Sequence, residues 1–88
     1  DIAVHTPLPA ARPLRLAHQI RQDLWRALAR VRGFSPVVRL TPTPEGWAVT
    51  AGGRAEGRVP VSILVRAEAV LAAPRNRTRW LQNAKVAP

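Results

Sequence analysis

Nine prolines partition this chain of 88 residues, and their positions limit what each stretch between them can form. A proline removes a backbone donor and pushes the residue before it out of the helical region. Residues 1–13, DIAVHTPLPAARP, hold three of the nine and are expected as a Pro-rich extended N-terminal arm, leaving 14–88 as the compact domain. The stretch from Leu14 to Ser35 has no proline, and in it Leu16, Ile20, Leu24, Ala27, Leu28 and Val31 recur at helical spacing on one arc. The spacing predicts a helix from about Pro13 to Arg32, with Arg32 near the negative end of the dipole and Gly33 as a left-handed cap.

Ser35-Pro36 restarts the chain in extended form, and Val37, Val38 and Leu40 supply strand-forming content. Thr41 to Gly46 reads as a loop, and Trp47, Val49 and Ala51 alternate with Ala48 and Thr50 as a second strand. Gly52-Gly53 is a candidate tight hairpin turn, because both positions tolerate positive φ. Arg54 to Val59 would then be a third, short and polar strand. Ser62 is placed to cap a second helix with Ile63, Ala67, Val70 and Leu71 on one face. Pro74 ends it, and Asn76 or Thr78 would cap a third helix that buries Trp80, Leu81 and Ala84. The expected fold class is therefore α+β: a small single domain in which a helix is followed by a two- or three-stranded antiparallel meander and two C-terminal helices. The first two helices would cover one face of the sheet and the third would close an end.

Without cysteine, disulfides, thiolate zinc sites and cysteine nucleophiles are excluded, so stability must come from packing in a chain whose core is thin for its size. No apolar run approaches the ~20 residues that span a bilayer, and the chain reads as a cytoplasmic protein without a membrane segment. His5 and His18 have no second ligand at metal spacing, and no metal or cofactor is expected. The acids Asp1, Asp23, Glu45, Glu56 and Glu68 are scattered, so no carboxylate pair for acid–base work can be argued. Ser35 and Ser62 lack a nucleophile context, and the Gly52–Arg58 stretch lacks the lysine ending of a phosphate-binding loop. The protein is not expected to be an enzyme.

What stands out is charge. Fourteen basic residues against five acidic ones give a formal net charge of +9, and thirteen of the fourteen are arginine. An arginine fork grips phosphates and carboxylates bidentately, which favours a polyanionic partner, although a chain this rich in alanine and proline also fits a GC-rich genome where arginine replaces lysine. The first helix places Arg15, Arg26 and Arg30 away from its apolar stripe with Asp23 as its single acid, and Arg32 at the stripe's border beside Trp25. Arg54 and Arg58 fall on or next to the strands, where they extend a positive surface or guard an edge. Arg75, Arg77 and Arg79 alternate in front of Trp80, and Arg75 and Arg79 come to one side only if that turn is helical. Trp25 is expected at the core edge and is the candidate aromatic contact; Trp47 is expected in the core.

The order helix, three strands, helix over about residues 14–73 resembles the double-stranded RNA-binding domain in outline. That family sets a basic cluster at the start of its second helix, and here the place reads Val59-Pro60-Val61-Ser62-Ile63-Leu64, so the cluster is missing. Residues 62–86 likewise lack the tight glycine-bearing turn of a helix-turn-helix. The expected function is that of a small basic binding protein contacting nucleic acid, DNA or RNA, mainly through arginine–phosphate interactions. The alternative is a protein–protein interaction module, an accessory subunit of a larger assembly or an inhibitor of the phage or mobile-element type, whose anchors would be Trp25, Phe34 and the N-terminal arm.

Overall fold

The first strand of the sheet is the segment expected as an arm. A computed structural model describes residues 2–86, so Asp1, Ala87 and Pro88 lie outside the described residues. In it, β1 (Ile2–Pro9) precedes α1 (Pro13–Ala27), β2 (Ser35–Thr43), β3 (Gly46–Arg54), α2 (Val61–Ala72) and α3 (Pro74–Asn83). The strand order is β1-β3-β2, with β3 antiparallel to both neighbours. The class is the expected α+β, with a three-stranded antiparallel sheet and two C-terminal helices. The third strand, however, comes from residues 2–9 and not from 54–59, which run without regular structure after β3. The strand ahead of α1 also removes the outline shared with the double-stranded RNA-binding domain.

Proline placement explains this sheet. Pro7, Pro9, Pro36 and Pro42 all lie in β1 or β2, and both are edge strands with one side free of partners. A missing N–H is tolerated at an edge, whereas β3, which is paired on both sides, contains no proline. The prolines therefore mark edges and do not forbid strands. Alternation then sets the faces: Ile2, Val4 and Leu8 point to the helices and are buried, while Ala3, His5 and Pro7 are exposed.

Gly52 and Gly53 sit inside β3, not at a turn, with φ of 159° and 150°. A Cβ on Gly52 would collide with the Ile2 carbonyl, and one on Gly53 with the Ser35 carbonyl, so the two edge strands press on the middle strand at this point. The need for positive φ is real, but it arises from close backbone approach. The actual β2–β3 turn is Pro44-Glu45, where Thr43 Oγ1 accepts the Gly46 N–H over 3.1 Å.

Helix α1 lies mainly against β2 and α2 against β1, side by side on one face of the sheet, and α3 packs on both helices. Helix α1 ends at Ala27 with Leu28 as its C-cap, short of the expected Arg32. Pro13 and Pro74 open α1 and α3 at positions whose N–H would have no helical partner, so neither Asn76 nor Thr78 caps α3, and Ser62 makes no cap bond to α2. One contiguous core joins the layers, with Leu16, Ile20, Leu24, Leu28, Val49, Ala67 and Trp80 fully buried. Trp47, half-buried, donates its indole N–H to the Ala11 carbonyl over 2.9 Å and ties β3 to the segment that enters α1.

Candidate functional site

Three side-chain contacts align α1 and α3. Asn83 donates to Gln19 at 3.3 Å, the Trp80 indole donates to Asp23 at 2.7 Å, and Arg79 pairs with the same carboxylate. Contacts that descend along one helix as they rise along the other mean the two run antiparallel. At one end, the Arg12 N–H donates to the Ala84 carbonyl over 2.8 Å, which gathers Arg12, Arg15 and Lys85. At the other, the last turn of α1, which carries Arg26, lies toward the first turn of α3. Because α3 is helical from Pro74, Arg75 lies one turn before Arg79 on the same side.

This seam is almost purely basic. Helix α3 has no acid and α1 has only Asp23. The Asp23 side chain is 12% exposed and is shared by Arg79, Arg26 (3.6 Å) and the Trp80 N–H. One carboxylate facing two guanidiniums orients them and leaves a net positive charge, and Arg26 remains 71% exposed. Fixed in this way, Arg26 and Arg79 present donors without giving up access to solvent.

The remaining expected site residues go elsewhere. Arg77 turns inward: its guanidinium donates to Thr6 Oγ1 (2.8 Å), the Pro7 carbonyl (2.8 Å) and the Leu71 carbonyl (3.1 Å). It thereby joins α3 to β1 and satisfies a carbonyl at the end of α2, where a cation also meets the negative helix pole. Asn76 does the same for the Val70 carbonyl at 3.1 Å. Arg77 is thus a structural clamp and not a free contact. Arg32 pairs with Glu56 at 3.2 Å near the start of β2. Arg54 lies on the sheet face away from the helices, where with Arg39 it borders a trough of about 270 Å³ over Gly52, and Arg58 lies in the loop after β3. The nine arginines do not form one surface; Arg26 and Arg79 meet on Asp23, Arg75 shares the side of Arg79, Arg15 lies near Asn83, and Arg30 falls in the turn after α1. Arg12 and Lys85 come together only because the segment entering α1 meets the end of α3, which no local spacing announces.

Trp25 departs from its expected core-edge position and is 51% exposed. It projects beside a groove of about 370 Å³ between α1 and the start of β2, together with His18, Arg21, Gln22, Phe34 and Pro36. Phe34 is buried and supplies the groove's apolar floor.

His5 Nδ1 meets only Thr50 Oγ1 at 3.0 Å, and among the described residues no three His, Cys, Asp or Glu side chains gather as a metal site. No helix among the described residues is long and apolar enough to cross a membrane. Comparison with known proteins found no matching family model, no matching curated protein and no matching solved structure.

Proposed function

We propose that this protein is a non-enzymatic binder of nucleic acid that grips the phosphate backbone along the α1–α3 seam. The observation that carries this proposal is the pairing of Arg26 and Arg79 with a single shared carboxylate, with Arg75 one turn before Arg79 and Arg12 held beside Lys85 at the other end of α3. Ten residues of α3 give the seam a length of about 15 Å. Neutralising four or five phosphates releases their counterions, so affinity should fall about 150- to 500-fold between about 50 and 200 mM salt. Titration of DNA and RNA over that range tests the proposal, and no binding at the lowest salt would sink it.

A protein-interaction module is the second candidate, favoured by one observation, the exposed Trp25 beside buried Phe34. In that role the indole would be the anchor and the arginines would form a rim against an acidic protein surface. Such binding would survive added salt better, because its anchor is apolar.

A further inference from the structure

We propose that the groove between α1 and the start of β2 receives an unpaired nucleobase stacked on Trp25, so that the favoured ligand is single-stranded nucleic acid and not duplex. The proposal rests on the nucleic-acid role above and specifies its substrate class.

Three features of the groove support this occupant. First, half of the Trp25 indole stays in water although apolar partners, Phe34 and Pro36, lie beside it. A flat aromatic surface next to an apolar floor is a stacking platform, and every base offers a π-face to it. Second, the groove is lined by Arg21 and His18 and by no acid, which suits a ligand that carries a phosphate with its base. Third, the groove and the basic seam share helix α1. Successive helical residues are about 100° apart, so Trp25 and Arg26 point to different sides of α1, separated by the ridge formed by Gln22. A strand held by Arg26 and Arg79 can lay a base across that ridge onto Trp25. A duplex cannot, because its bases are paired and stacked inside, and extruding one costs a few kcal/mol.

The test compares a thymidine strand of about 12 nucleotides with a duplex of the same length, at about 50 mM salt. Both are titrated against the wild type, W25A, W25F and R26A/R79A. The expected result is tighter binding of the strand than of the duplex, with W25A weakening strand binding about 5- to 150-fold and duplex binding less than about twofold. W25F, which keeps a ring in place, should retain most of the strand affinity. The strand should also quench tryptophan emission in the wild type but not in W25A, since Trp80 is buried and Trp47 half-buried. Equal losses of strand and duplex affinity in W25A, or a strand bound no better than the duplex, would overturn the stacking site. The phosphate grip would survive that outcome if R26A/R79A still weakened both ligands. Binding of a polyglutamate peptide with no binding of either nucleic acid would overturn both proposals.

Discussion

The indole N–H of Trp80 donates to the carboxylate of Asp23 over 2.7 Å, a bond between a fully buried side chain and one at the edge of the surface. Through it the packing of the core fixes the group on which Arg26 and Arg79 converge. Arg26 and Arg79 are therefore held from beneath by the fold and do not hang on flexible side chains alone.

Asp23→Asn should separate stability from binding. It removes the charge that orients both guanidiniums and weakens the acceptor for Trp80, lowering stability by about 1–3 kcal/mol. For a domain of this size, each kcal/mol corresponds to a melting-point shift of about 4–8 °C. The same change deletes the one acid of the seam, so nucleic-acid affinity should rise a few-fold. Thermal melts and a binding titration on one preparation would read the two opposite signs. A variant that is both less stable and weaker in binding would contradict the placement of Asp23.

Arg77→Ala should behave in the opposite way. Loss of its bonds to Thr6, Pro7 and Leu71 leaves carbonyls at the β1–α2 junction without their donor, which should lower stability by about 2–3 kcal/mol. Arg77→Lys should recover only part of this, because an ammonium cannot span the three acceptors as the planar fork does. At a temperature where the variant is folded, binding should stay within about twofold of the wild type. Urea unfolding curves together with binding data would check both parts.

Arg77 and Arg79, two positions apart in RNRTRW, show where the sequence stops being informative. Helical periodicity located α1, α2 and the buried side of α3, including Trp80, because a stripe at 3.6 spacing depends only on local residues. It also put Arg75 and Arg79 on one side, conditional on a helix that the structure supplies. What separates Arg77 from its neighbours is the carbonyl at Leu71 and the position of β1, and both are tertiary. Residues 2–9 form a strand where an arm is expected, for a related reason. Pro7 and Pro9 exclude a central strand but not an edge, and sequence does not say which strand will be the edge. Gly52-Gly53 signalled unusual backbone correctly, but the cause was a close approach of two carbonyls. Trp25 gave no local sign of exposure, since its place at the border of the apolar arc fits either side.

Val4→Asp tests the strand at the N-terminus directly. Val4 is buried on the helix-facing side of β1, paired with Ala51, so an unpaired carboxylate there should lower stability by more than about 4 kcal/mol and abolish the cooperative melt. A loose arm would tolerate the charge with no measurable change.

Gly53→Ala should be at least as damaging as a typical core truncation, about 3 kcal/mol or more, although alanine is small. Its methyl group would strike the Ser35 carbonyl in a backbone conformation at φ 150° that alanine rarely adopts. Gly57→Ala has open space around its Cβ and only a left-handed φ of 68° to resist, so the expected loss is about 1 kcal/mol. Chemical denaturation of the pair would rank them, and a reversed order would contradict the register of β2 on β3.

The central claim, that the α1–α3 seam grips phosphates, is tested most directly by the salt dependence of nucleic-acid binding in the wild type and in R26A/R75A/R79A. The slope of log affinity against log salt should be about −3.5 to −4.5 for duplex DNA in the wild type and should flatten by about 2 to 3 in the triple variant. A slope that is the same in both proteins, or no binding by the wild type at about 50 mM salt, would contradict it.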